Sequence, residues 1–229
     1  MILSIIIPVY NEESTVINVL NKIKESLENK FKYEVIVIND GSTDKTKELL
    51  EKNANLYNKL ITNEVNKGKG FAVRKGLENS TGTHITFQDA DLEYDPKDLL
   101  KLQKIFLDFD ADGVIGSRFN YSDYTRTHNL LNKFGNKILT FIFNILYNTT
   151  FTDIYSCYFA FKKNLLNIAE LKTDGFEQHA EILCKVIKRG NKFYEVPISY
   201  NGRNYSEGKK IRSYHFFTVL YQMILGKIK

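Results

Sequence analysis

The sequence predicts an α/β protein whose central sheet is mostly parallel and covered by helices on both faces. Three observations lead there. Short continuous apolar runs of buried-strand type alternate with apolar residues at helical spacing through the first half of the chain. The first such runs give way to polar loops, as expected where the strands of an open sheet deliver their carboxyl ends to a ligand cleft. The chain has 229 residues, 43% of them hydrophobic, enough for one sizeable core with a modest appendage.

Residues 2–7 form the first apolar run, and Val16, Leu20, Ile23 and Leu27 then recur at the spacing of an amphipathic helix. Residues 34–38 repeat the strand pattern. Ser42-Thr43-Asp44 supplies N-cap chemistry for a helix running to about Asn53. A strand over 60–62, a helix over 70–79 and a strand over 84–87 continue the series. Asp95-Pro96 gives the cap and first-turn proline of a helix reaching Phe109. After that the alternation loosens. Residues 114–116 predict a strand, 130–147 an amphipathic helix, 158–161 a strand, and 177–189 a helix closed by Gly190. Residues 193–196 and 198–200 flank Pro197, which predicts an edge strand because proline has no N–H to offer a neighbour. Residues 201–210 predict a polar loop before a last amphipathic helix. The expected division is a main domain over 1–210 and a helical appendage over 211–229, which is suited to lie at a membrane interface. Phe141, Phe143, Tyr214, Phe216 and Phe217 are expected in the core.

Charge excludes less than it places. Lys and Arg number 32 against 27 Asp and Glu, and a formal excess of +5 is too small to argue for a nucleic-acid partner. Lys209, Lys210 and Arg212 stand beside the apolar run 216–225, which suits contact with an anionic membrane surface and equally a solvated basic loop. Cys157 and Cys184 sit among apolar neighbours, which argues against a disulfide framework or a metal cluster and fits a reducing cytosol. The 4 histidines lack ligand spacing. The longest apolar segments, 138–147 and 216–225, are well short of the ~20 residues a helix needs to cross a bilayer. The first residues lack a basic leader and a small-residue cleavage site and are expected to be a strand.

The most informative stretch is Phe87-Gln88-Asp89-Ala90-Asp91. Residues two apart in an extended chain share a face, so Asp89 and Asp91 can converge on one oxygen-preferring cation as strand gives way to loop. Asp-x-Asp at a strand end is also ordinary turn chemistry. Asn66-Lys67-Gly68-Lys69-Gly70 precedes a helix. It is either a plain turn or a loop whose backbone N–H groups and Lys69 face phosphates. Its glycines come too late in the chain, and in too incomplete a pattern, for a dinucleotide fingerprint, which disfavours hydride chemistry.

In order and spacing, Ile7-Pro8-Val9-Tyr10-Asn11-Glu12-Glu13, Asn39-Asp40-Gly41-Ser42-Thr43-Asp44, Asn66-Lys67-Gly68-Lys69-Gly70 and Asp89-Ala90-Asp91 resemble the motifs of family 2 glycosyltransferases of the GT-A fold, a Rossmann-like architecture. Ala90, Gly116-Ser117-Arg118-Phe119, the segment from Glu195 to Arg203 and Glu207-Gly208-Lys209-Lys210 are similar to one branch of that family. It contains dolichyl-phosphate mannose synthase and bacterial polyprenyl-phosphate sugar transferases. The ending Glu-Gly-Lys-Lys differs from the Ser-Lys ending of the mannose synthases.

The resemblance implies an inverting, metal-dependent transfer of a hexose from a nucleoside-diphosphate sugar to a polyprenyl (dolichyl or undecaprenyl) phosphate. The setting it implies is the cytoplasmic face of a membrane, with peripheral contact to anionic lipid. Pro8, Tyr10, Glu12 and Asp40 are implied to grip the nucleoside, and Lys69 and Ala90 to face the donor. Asp89 and Asp91, joined by Glu93, are implied to hold Mg²⁺ or Mn²⁺. Arg118, Arg203 and Lys209 are implied to meet the acceptor phosphate or the donor diphosphate. Asp153 and Glu181 are implied near the acceptor, either of them a base if that acceptor is a hydroxyl. A phosphate monoester, with a second pKa of ~6, needs no strong base. Rival expectations are transfer to a sugar hydroxyl of a cell-surface glycan, a sugar nucleotidyltransferase, and a non-catalytic nucleotide-binding or membrane-docking module. The nucleotidyltransferase would carry a glycine-rich, Arg-containing loop after the first strand, which is missing here.

Overall fold

Ile5, Ile6 and Ile7 are all fully buried, and so are Ile36, Val37 and Ile38, which requires strands covered on both faces. The computed structural model describes residues 1–120, 123–126, 130–203, 210 and 214–228. Its strands are β1 (Leu3–Val9), β2 (Tyr33–Asp40), β3 (Lys59–Asn63), β4 (His84–Phe87), β5 (Gly113–Ser117), β6 (Phe159–Lys162) and β7 (Phe193–Pro197), in one sheet of order β3-β2-β1-β4-β6-β5-β7. β1 pairs in parallel with β2 and β4, and β2 with β3. β6 runs against both its neighbours, β4 and β5, while β7 runs parallel to β5. The sheet is therefore mixed and parallel at its centre.

Helices cover both faces. A side chain at Gly76 of α3 (Lys69–Asn79) would lie 2.4 Å from Ile6 and 2.8 Å from Ile38, so α3 packs on the face those residues share. His84 pairs in register with Leu3, and alternation sends both to the opposite face. There Phe106 of α4 (Leu99–Phe109) meets the His84 ring at 4.6 Å between centroids. The other helices are α1 (Val16–Leu27), α2 (Thr46–Lys52), α5 (Leu130–Tyr147), α6 (Gln178–Arg189) and α7 (His215–Ile228). α7 lies against α5 and α6, and Tyr147 Oη donates to the Met223 carbonyl at 2.9 Å. Among the described residues, no helix is long and apolar enough to cross a membrane.

Several boundaries differ from expectation for identifiable reasons. α2 begins at Thr46 rather than at the predicted cap, because Ser42 and Thr43 are engaged elsewhere. Asn11 N–H donates to Ser42 Oγ at 3.0 Å and Thr43 N–H to Asn11 Oδ1 at 2.8 Å, while Asp44 Oδ1 accepts from Thr46 N–H. Asp95 does accept from Lys97 N–H, but a single 3₁₀ turn precedes α4. Pro197 ends the edge strand. Residues 198–200 form no second strand, and Tyr200 makes isolated bridges to Tyr94 and Thr125. The aromatics expected in the core divide: Phe143 is buried and Phe216 half-buried, but Phe141, Tyr214 and Phe217 are exposed.

Candidate active site

β1, β2 and β4 point their carboxyl ends at one edge of the sheet, and there a cavity of about 680 Å³ opens between their loops and helices α5 and α7. Pro8, Tyr10, Glu12, Asp40, Lys69, Asp89, Ala90, Asp91, Glu93, Arg118 and Arg203 all line it. Asp153 and Glu181 do not, and Lys209 lies outside the described residues, as do the neighbouring Glu207, Gly208 and Arg212.

The floor is a set of carboxylates, each facing a cation. Asp89 Oδ1 meets Lys69 Nζ at 2.5 Å, and Asp91 Oδ2 meets Arg203 Nη2 at 2.7 Å. Burial raises the Asp89 carboxyl, but the Lys69 ammonium outweighs it and the net direction is down. Asp91 goes the other way, pushed up to about 7 by burial and then by the charges of Asp89 and Glu93, which Arg203 offsets only in part. Glu12 accepts from Arg203 Nη1 at 3.3 Å and from Lys210 Nζ at 2.7 Å, and Lys210 also donates to the Tyr10 carbonyl. Glu93, expected as a third metal ligand, is engaged otherwise. Its Oε2 accepts from Tyr200 Oη at 2.6 Å and its Oε1 from Arg203 N–H at 2.8 Å.

The glycine-rich loop is largely a turn held by the chain itself. Most of its backbone N–H groups are taken up there rather than offered to phosphates. Lys67 and Gly68 donate theirs to the Asp40 carboxylate, which also accepts from Asn63 Nδ2, and Gly70 and Phe71 donate theirs to the Asp174 carbonyl. The fit is close: a Cβ at Gly68, whose φ is +101°, would lie 2.4 Å from the Asp174 oxygen. Lys69 is left as the loop's charge toward the cavity.

Asp153 and Glu181 are not accessible bases. Asp153 is fully buried behind Arg118 and binds it in a fork, Oδ2 to Nε at 2.6 Å and Oδ1 to Nη2 at 2.8 Å. Glu195 orients Asp153 by accepting its backbone N–H at 3.1 Å. Glu181 accepts from Lys172 N–H, Thr173 N–H and Thr173 Oγ1, and so holds the segment that carries Asp174. Both carboxylates position other groups.

Among the described residues, no three His, Cys, Asp or Glu side chains assemble into a metal-ligand set. Asp89 and Asp91 nonetheless fit a hard divalent cation. They offer oxygen donors from one strand end, and their crowded negative charge is already drawing two basic side chains. Such a site takes its remaining ligands from substrate oxygens and water.

Sequence reasoning missed Tyr94, Tyr155, Cys157 and His179, all of which line the cavity. Tyr94 stands three residues after Asp91 in the same loop, a signal that could have been used. Tyr155 and Cys157 come from the loop before β6 and His179 from α6, and nothing local marks them. The Cys157 thiol is pushed well up by burial and then by Asp89, and His179 is pushed down to about 4 by burial and by Lys69. Neither charges near neutral pH.

The pattern of the family described as glycosyl transferase family 2 matches residues 4–168. Glycosyltransferase AglJ of Haloferax volcanii is 33% identical over 204 residues, covering 87% of this chain and 63% of AglJ. The low-salt glycan biosynthesis hexosyltransferase Agl6 of the same organism is 28% identical over 202 residues, covering 88% of this chain. The chain spans 48% of Agl6, about half its length. Glucosyl-3-phosphoglycerate synthase of Mycobacterium tuberculosis, crystallised with Mn²⁺, UDP and glucosyl-3-phosphoglycerate, shares the fold. Its TM-score is 0.74 at 18% identity, covering 98% of this chain and 79% of the synthase. A pattern that covers most of the sequence, set on the fold its motifs imply, shows that the chain belongs to glycosyl transferase family 2 and is a glycosyltransferase.

Proposed function

We propose that this enzyme moves a hexose from a nucleoside-diphosphate sugar to a polyprenyl phosphate at the anionic, cytoplasmic face of a membrane, with inversion at the anomeric carbon. The observation that carries this reading is the contrast within one cavity. Its floor gathers carboxylates and cations around Asp89 and Asp91, while its far wall is made by α5 and α7 and includes Leu131, Leu139, Phe216 and Phe217; Phe134 and Phe141 are exposed elsewhere on α5. A sugar hydroxyl on a soluble glycan has no use for the second wall. An isoprenoid phosphate uses both.

Asp89 and Asp91 would hold Mg²⁺ or Mn²⁺, which when bound neutralises charge on the departing diphosphate. Lys69 and Arg203 are the cations placed to accompany that diphosphate, and Pro8, Tyr10, Glu12 and Asp40 form the nucleoside end. Arg118, fixed by Asp153, positions the acceptor. A phosphate oxygen bonds to the anomeric carbon as the bond from that carbon to the diphosphate breaks, and a monoester dianion has no proton to lose. The retreat of Asp153 and Glu181 from the cavity supports a phosphate acceptor over a hydroxyl, which would call for a base.

Incubation with a panel of uridine and guanosine diphosphate sugars and farnesyl phosphate, with and without Mg²⁺ or Mn²⁺, tests this by mass spectrometry of the lipid. A lipid one hexose heavier, formed only with metal, is expected. An unchanged lipid alongside a glycosylated glycan acceptor would overturn the reading.

A further inference from the structure

Tyr94 Oη accepts hydrogen bonds from Arg118 Nη1 at 3.2 Å and from the Cys157 backbone N–H at 3.1 Å. A phenol oxygen accepts at two positions and carries one hydrogen. Both acceptor positions are filled, so the hydrogen points away from both donors, and among the described residues none accepts it. Arg118 shows the same surplus. Its Nε and one N–H of Nη2 meet Asp153, the other N–H of Nη2 meets the Tyr155 carbonyl, and one N–H of Nη1 meets Tyr94. A guanidinium has one hydrogen more than that, the second on Nη1.

The two unmatched hydrogens sit on adjacent atoms of side chains that both line the cavity, with Tyr94 4% and Arg118 9% exposed. Donor hydrogens left over in a buried place favour an incoming oxygen ligand that can accept them. The tyrosine cannot swing away. Its ring is held between Tyr158 and Tyr200, with centroids at 5.1 and 5.2 Å.

Taking the acceptor class proposed above as given, we infer that Tyr94 is a second donor to the acceptor phosphate and forms with Arg118 a fixed seat for it, Tyr94 and Arg118 each meeting a different one of its two non-attacking oxygens. The phosphate is thereby oriented before the donor sugar arrives, and the seat remains protonated throughout.

Tyr94→Phe removes the hydrogen and keeps the ring. With farnesyl phosphate as the variable substrate, the acceptor KM is expected to rise about ten- to hundredfold, the loss of one hydrogen bond to a charged group. Calorimetric affinity for UDP or GDP with Mn²⁺ is expected to change less than twofold, and thermal melting to stay cooperative. Tyr94→His restores a ring N–H and is expected to recover part of the acceptor KM. It also supplies the comparison if the phenylalanine variant does not fold. An unchanged acceptor KM in folded Tyr94→Phe, or an equal loss of nucleotide affinity, overturns the seat and leaves the acceptor class standing. Failure of the unsubstituted enzyme to glycosylate farnesyl phosphate with any donor overturns both.

Discussion

The two walls of the cavity are finished to different degrees. On the strand side, polar groups find partners within the chain: Asn11 with Ser42 and Thr43, Asp40 with the amides of Lys67 and Gly68, the Asp174 carbonyl with those of Gly70 and Phe71. On the helix side, Leu131 and Phe217 line the cavity more than half exposed, and Leu130, Phe134, Phe141 and Tyr221 are likewise exposed elsewhere on the same two helices. α5 and α7 contain no Asp or Glu, and Lys133, Lys137 and Lys227 are their charges. The difference teaches that the polar wall is preorganised by contacts within the chain, whereas the apolar helices leave large side chains in solvent, which the proposed lipid contact would cover.

The largest expected effect breaks the polar wall. Asp89→Asn combined with Asp91→Asn should lower the initial rate of transfer by about 10³-fold or more while leaving melting cooperative. A rate within tenfold of the original enzyme would remove the reaction from this wall. Next comes its support. Asp153→Ala leaves the buried Arg118 guanidinium without its fork, and urea unfolding should show a loss of about 3–5 kcal/mol.

The apolar wall responds differently. Phe141→Ser with Phe217→Ser should change stability by no more than about 1 kcal/mol, because both rings are already in solvent. Partition onto phosphatidylglycerol vesicles should nevertheless fall by about tenfold or more in sedimentation assays. Equal partition of the two proteins would deny that face its lipid.

The smallest effect lies at the far, amino end of the sheet and serves as the baseline. Burial, then the N-terminal ammonium and Lys162, push His84 down to about 4, so between there and 6.5 the folded state binds fewer protons than the unfolded chain. Its contribution is fully present above pH 6.5 and is lost as pH falls toward 4. Allowing for partial solvent access, His84→Phe should flatten that slope by about 1 kcal/mol in denaturant melts.

Legibility follows the same division as the walls. β1 to β4 and α5 stand within about two residues of where periodicity puts them, because continuous or 3.6-residue apolar patterns report burial directly. The Asp89/Asp91 pair was legible too, since one strand end carries both. What stayed hidden depends on partners far along the chain. The fork of Asp153 on Arg118 spans 35 residues, and the occupation of the Gly70 amide by Asp174 spans more than a hundred, so neither leaves a local mark. The exposure of Phe141 and Phe217 was hidden for a related reason: a helical apolar stripe shows that a face seeks cover but not whether the fold supplies it.

The carbonyl of Asp174 has a consequence for dissection of the enzyme. The family pattern ends at residue 168, yet the first turn of α3 is capped from beyond it. A fragment trimmed to the matched segment would bare the amides of Gly70 and Phe71 and lose the carboxylate that pairs with Arg74 at 2.6 Å. The segment that the family pattern matches is thus shorter than the stretch of chain that completes α3.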